Sequence, residues 1–382
     1  MKKITTPTID KQTTQKSHKL KFLMALKSLR GLPISIILII LLVCLFILSL
    51  GLGRYPVSAE NVLQILFSHV GSGIQTIITG ITNLLNLPVT PIFGPPVSDI
   101  SNTVVIQIRL PRILAALIVG AALSLAGGSF QGLFRNPLVS PDLLGVSAGA
   151  GFGAALAILL SGERILIQAS AFCFALLAVG IVYTVSKVIK GNRTLSLVLA
   201  GLAISSLFSA SLSLMEYIAD PTDQLPTIIY WLMGSLSSLN LTDVAFAAIP
   251  ILCGMTVLLL MRWRFNVLAM GEEEAQALGV NIGRIRAIII VCCTLMSAAA
   301  VCISGIIGWV GLVIPHISRL LVGPDHKRLL PVSLLLGAAY LLIIDDIART
   351  ISSLEVPLGV LTAMIGAPFF LYMLSRRGKG WA

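Results

Sequence analysis

Charge is scarce in this chain: Asp, Glu, Lys and Arg make up 11% of its 382 residues, and aromatic residues only 6%. Soluble domains carry about 25% charged residues, so a water-facing surface of ordinary composition is excluded. The six cysteines form no C-x-x-C pattern and all fall in apolar runs, which leaves out a zinc site or a disulfide framework and makes them small apolar packers. No G-x-x-x-x-G-K-[ST] loop occurs, so any ATP used is bound by another chain. Gly145-Val-Ser147-Ala-Gly149 has the letters of a hydrolase elbow, but it sits in an apolar helical stretch instead of a strand-to-helix turn. The glycines at 149, 151 and 153 likewise follow no strand and form no dinucleotide loop. With no nucleophile, His and acid set, catalysis and a bound cofactor or metal are not expected.

What is abundant is apolar: 56% of residues are hydrophobic and the mean hydropathy is +0.97. Runs of Val, Ile, Leu and Ala without period-two alternation predict an all-α, polytopic membrane protein and exclude an outer-membrane barrel. Ten runs approach the roughly 20 residues that a span requires: 33–53, 105–126, 142–160, 165–186, 195–216, 244–261, 287–303, 305–322, 330–348 and 357–375, with a tight turn at Ser304 and Gly305. The first is too long, and lacks the cleavage site, for a removable signal. The net charge of +11 does not mark a nucleic-acid binder, because no basic and aromatic surface gathers in a soluble domain. With a cytoplasmic N-terminus, only Arg54, Arg109, Arg112, Arg164 and Arg349 of the 27 basic residues fall outside. This asymmetry predicts a cytoplasmic (inner) membrane protein with both termini in the cytoplasm.

Residues 1–31 form a basic, Thr-rich tail, expected to be disordered or to lie along the anionic inner leaflet; 32–377 form the membrane domain; 378–382 are a short cytoplasmic tail. The outer loop, 54–103, is broken by Pro91, Pro95 and Pro96, and Ile77, Ile81, Leu84 and Leu85 are spaced for an interfacial helix. Small residues recur every four positions at Gly120, Ser124, Gly128 and Gly132, at Gly145, Gly149 and Gly153, at Gly201, Ser205 and Ser209, and at Gly359, Ala363 and Ala367. Such faces either pack helices closely or line a pore. Gly127 to Pro137 and Gly305 to Pro315 are faintly alike, as in transporters built from two related halves.

Between two apolar runs lies a charged insert, Met270 to Arg286. Glu272, Glu273 and Glu274 suit a helix N-terminus, and Ala275, Leu278 and Ile282 recur at i, i+3 and i+7 as a face for an outside partner. Gly279 and Gly283 let the chain turn back. Glu216, His316, Asp345, Asp346, Arg349 and Glu355 lie near span ends, where ionisable groups are either salt-bridged at the interface or mark a pathway. Arg109, Arg112 and Arg349 stand at outer span mouths, where guanidinium forks hold either lipid phosphates or the carboxylates of an external partner.

From about Arg54 to Arg377 the chain resembles the permease subunit of the iron-siderophore and vitamin B12 importers, the FecCD type of ABC transporter. The blocks that carry this are Arg109-Leu-Pro-Arg112 through Gly120-Ala-Ala-Leu, Phe134-Arg-Asn-Pro-Leu-Val-Ser-Pro141, Gly271 to Gly283, Gly308-Trp-Val-Gly through His316-Ile-Ser-Arg319, and Glu355-Val-Pro-Leu-Gly through Gly366-Ala-Pro368. The resemblance implies a ten-span subunit paired with a second permease copy, identical or paralogous. Two ATPase subunits would lie below it, and a periplasmic or lipid-anchored substrate-binding protein above. It makes Gly271 to Gly283 the coupling helix, assigns Arg109, Arg112 and Arg349 to docking of the binding protein, and places Thr194 at a cytoplasmic gate. The implied cargo is a ferric-siderophore-type chelate, with cobalamin or haem as variants. The reading from another class is an ion-coupled secondary carrier for a small organic solute.

Overall fold

The computed structural model describes residues 34–58, 60–65, 99–189, 193–352 and 354–376. The N-terminal tail, the Pro cluster with its expected interfacial helix, and the tail from 377 onward lie outside the described residues.

Among the described residues the chain is helical, with no strand. We number the helices α1 (Ile34–Gly51), α2 (Leu110–Phe134), α3 (Val146–Leu160), α4 (Arg164–Val188), α5 (Arg193–Ile218), α6 (Gln224–Met233), α7 (Leu241–Leu260), α8 (Arg262–Met270), α9 (Glu272–Ala277), α10 (Ile282–Ser304), α11 (Val310–Val322), α12 (His326–Thr350) and α13 (Leu358–Arg376). Seven helices are long and apolar enough to cross a membrane, and three shorter apolar ones, α3, α11 and most of α13, fall on the remaining expected spans. The turn at Ser304 and Gly305 is present, Gly305 having φ 67°. From there residues run non-helically to Trp309, a stretch that stays within the protein because Ser235 N–H donates to Ser304 O at 2.9 Å and Gly305 is buried. Irregular backbone at membrane depth requires such internal partners.

α2 is the centre. It is preceded without a break by Asp99–Thr103 and a π segment, Val104–Arg109, and its apolar window is 83% buried against 17% for α1. Pro111 has no N–H to return to Gln107, and just before it the ladder is widened: Leu110 N–H donates to Val105 O. The small-residue stripe of α2 lies against antiparallel α12 step by step. A Cβ on Gly120 would sit 2.3 Å from Gly337 O, and Ser124 Oγ donates to Ser333 O at 2.8 Å. Gly128 faces Leu329 and Leu330, and Gly132 faces the His326 ring. Across a third helix, a Cβ on Gly127 would meet Gly311 O of α11 at 1.8 Å, so the two segments that look alike in sequence cross backbone to backbone. Gly149 and Gly153 give α3 the same approach to Phe174 O and Ser170 O of α4. Packing accounts for these faces: in lipid, close backbone approach replaces the hydrophobic drive that holds soluble bundles together.

Candidate functional site

Two groups of sequence-marked residues lie at opposite ends of the bundle. At one end α8, α9 and the start of α10 form the charged insert. The single helix expected over 271–283 is only Glu272–Ala277. It ends in a Schellman motif: Val280 N–H donates to Ala275 O at 3.0 Å and Gly279 N–H to Gln276 O at 2.8 Å, with Gly279 at φ 75°. α10 then starts at Ile282, where Asn281 Oδ1 accepts from Arg284 N–H at 3.1 Å. Gly283 therefore belongs to a helical turn and not to the reversal. This changes the expected face. Ala275 is 0% exposed and Ile282 5%, both packed into the permease itself, whereas Leu278 is 62% exposed. Glu273 and Glu274 are exposed as well, and Gly271 is buried beneath the Glu274 carboxylate. The insert therefore exposes Leu278 and an acidic rim, not a three-residue apolar stripe.

The insert is joined to the bundle by a contact the sequence reading missed. Asn266 of α8 donates from Nδ2 to Asp325 Oδ1 at 2.6 Å and accepts from His326 N–H at 2.9 Å. The His326 ring stacks on Phe265 with centroids 5.6 Å apart. Asp325 also caps α12 by accepting from Lys327 N–H at 3.0 Å, and the two donors hold its carboxyl below the usual carboxylate range. Thr194, at the start of α5, lines a cavity of about 310 Å³ with Arg135, Leu268, Ile282 and Arg286, next to this joint.

At the opposite end, α1, α2 and α12 bring together Arg109, Arg112 and Arg349. All three, the residues that the resemblance assigns to docking, are buried within this chain. Arg109 donates to Leu50 O at 2.7 Å and Gly51 O at 3.1 Å, carbonyls that the C-terminus of α1 leaves open, and to Tyr55 O at 2.5 Å in the segment beyond. Gly53 makes room for it, since a Cβ there would lie 2.5 Å from the guanidinium. Arg112 pairs with Asp345 through Nε at 2.8 Å and with Glu355 through NH1 at 2.8 Å. Arg349 pairs with Asp346 and donates to Ser49 O at 2.6 Å, while Ser49 Oγ donates to Asp346 at 2.6 Å. Burying a guanidinium without partners is costly, so three carboxylates and one helix end are arranged around three arginines. The membrane-edge acids read as interfacial or salt-bridged are thus salt-bridged in three cases: Asp345, Asp346 and Glu355. Among the described residues no three His, Cys, Asp or Glu side chains form a group able to hold a metal ion.

Ten apolar helices among the described residues, with the small-residue helix α2 at their centre, and a short charged helix set between two of them define a polytopic membrane subunit. The chain belongs to the FecCD transport family, whose model matches residues 40–376, and it is an ABC transporter permease, not an enzyme. It is 41% identical over 344 residues to the molybdate import system permease protein MolB of Haemophilus influenzae, covering 89% of this chain and 96% of that one. Identity to the hemin transport system permease protein HmuU of Yersinia pestis is 37%, covering 77% and 89%. To the cobalamin import system permease protein BtuC of Halobacterium salinarum it is 37%, covering 88% and 94%. A solved inward-facing ABC transporter of metal-chelate type superposes with a TM-score of 0.76 at 39% identity, covering 90% of this chain and 99% of that one.

Proposed function

We propose that this permease carries a ferric chelate of the siderophore type into the cytoplasm, driven by ATP hydrolysed on a partner ATPase. The observation that carries the coupling is the short helix α9. Gly271 and Gly279 set it off at its two ends, Ala275 seats it in the bundle, and Leu278 is left exposed among glutamates. A helix anchored in this way transmits force in both directions. Closure of two ATPase subunits would push α9, and the Asn266 joint would pass the movement to α12, a switch between two packed arrangements of the spans. In this reading a second permease copy completes the pathway, Thr194 belongs to its cytoplasmic gate, and a periplasmic or lipid-anchored binding protein delivers cargo at the arginine end. The concentration of basic residues around α8 to α10 supports a cytoplasmic position for that end, with both termini inside.

Iron chelates are favoured because hemin and iron-chelatin permeases are among the relatives. The second reading, molybdate, rests on the 41% identity to MolB over nearly the whole of both chains. Liposomes holding the permease, its ATPase and its binding protein decide between them. The iron reading expects ATP-dependent uptake of a radiolabelled ferric chelate that unlabelled molybdate does not compete; molybdate uptake without chelate uptake overturns it.

A further inference from the structure

Two cavities meet on the side of the bundle at the arginine end, outside the machinery described above. The larger, about 730 Å³, opens between α4, α7 and α10 and is walled by Phe172, Phe246, Pro250 and Ala299. The smaller, about 190 Å³, is also mainly apolar but carries the hydroxyls of Thr227, Tyr230, Ser235 and Ser238 in its lining. Arg164, Gln168, Cys302 and Ile303 line both, so the two are one amphipathic compartment with Arg164 at the junction.

The charges at the junction are built. Asp243 is held by an Asn240–Asp243 capping box, its backbone N–H donating to Asn240 Oδ1 at 2.8 Å and its carboxylate accepting from Asn240 N–H at 3.1 Å. That same carboxylate fixes one nitrogen of Arg164. A guanidinium has five donors, and Arg164, 42% exposed at its side chain, keeps the others for a ligand. Glu163 lines the apolar compartment beside it. From Arg164 to Phe172 the groove descends eight helical residues, about 12 Å at 1.5 Å each. One leaflet of the hydrocarbon core is about 15 Å deep.

We propose that this compartment binds one phospholipid with a primary ammonium headgroup, of the phosphatidylethanolamine class, from the leaflet at the arginine end. The phosphodiester lies on Arg164, the ammonium on Glu163, and an acyl chain on Phe172, Phe246 and Pro250. Glu163 and Asp243 give the mouth two carboxylates for one guanidinium, which disfavours a headgroup carrying net negative charge and selects one with a cation of its own.

Native mass spectrometry of the full-length permease in detergent, after exchange against defined lipids, tests this. The expected result is one phosphatidylethanolamine retained per chain in preference to phosphatidylglycerol, and no competition from soluble glycerophosphoethanolamine, which lacks the chains. R164Q should lower retention at least tenfold. A169W, which fills the groove from an exposed position and leaves every charged residue in place, should do the same with an unchanged Tm. Equal retention of the two lipids, displacement by the soluble headgroup, or undiminished retention in a folded A169W protein would each overturn the assignment.

Discussion

Asn266 Oδ1 accepts the backbone N–H of His326 at 2.9 Å, across 60 residues of chain, and thereby ties α8 to the first turn of α12. α12 is also the helix that lies along the whole small-residue face of α2 and carries Asp345, Asp346 and Arg349 at its far end. One side-chain amide thus connects the insert to the helix that reaches the opposite end of the bundle.

Asn266→Ala should remove the tie while leaving both helices in place. Losing a fully buried hydrogen-bond partner costs about 1–3 kcal/mol and this contact is only partly buried, so the loss should fall toward the low end, which the whole bundle should tolerate. In proteoliposomes we expect ATP hydrolysis to persist and substrate transported per ATP to fall. An unchanged ratio with only a lower Tm would make the contact structural.

The same joint sets a pH dependence. The amide of Asn266, then the N–H of Lys327, hold Asp325 below the usual carboxylate range. A depressed folded value means the contribution is fully present above the unfolded value of about 3.9 and is lost only as pH falls through the lower folded one. The Tm difference between wild type and Asp325→Asn should therefore be constant from about pH 5 to 8 and shrink only in stronger acid. A difference that changes around neutrality would contradict this assignment.

Leu278 and Ala275 should respond oppositely. Leu278→Asp changes an exposed side chain, so stability should move by no more than about 0.5 kcal/mol while transport uncouples from hydrolysis. Ala275→Leu overpacks a site with 0% exposure and should cost about 1–3 kcal/mol. Thermal stability read beside the ratio of transport to hydrolysis separates the two.

Arg112→Ala would leave Asp345 buried with only the longer 3.8 Å pairing to Arg349, a loss of about 3–5 kcal/mol. Arg112→Met combined with Asp345→Leu and Glu355→Gln should recover most of the Tm. If Arg112→Ala instead keeps its Tm and loses only binding-protein affinity, the guanidinium serves the partner after all.

Two glycines predict opposite signs for one substitution. Gly→Ala inside a helix ordinarily stabilises by about 0.5–1 kcal/mol. Gly180→Ala on α4, with nothing within 4 Å of the added Cβ, should gain this amount. Gly120→Ala, driven to 2.3 Å from Gly337 O, should lower Tm and push α2 from α12.

The spans were legible because a run of apolar residues has one main use in a chain this poor in charge, and the four-residue stripe of α2 was legible because close helix approach demands it. The insert was located but misdrawn. Reading Ala275, Leu278 and Ile282 as one face presumes a single helix, and the αL residue Gly279 divides it, putting Ile282 on the next helix. The arginines were found, but their partners within the chain were not: Arg112 and Asp345 are 233 residues apart, and no local pattern pairs a guanidinium with so distant a carboxylate. The Asn240–Asp243 capping box was not singled out, although an Asn three residues before an Asp at the start of an apolar run is its pattern.

The burial of Arg112 has a consequence for how the protein is made. At about 5–20 residues per second, the ribosome needs roughly 12–47 s after Arg112 to reach Asp345. Through that interval α2 holds a guanidinium whose acidic partners do not yet exist, on an apolar helix whose surface is largely covered by protein in the finished fold. The central helix of the finished bundle is therefore among the first threaded and the last able to settle. A nascent chain cut short before α12 should be held by the insertion machinery or degraded.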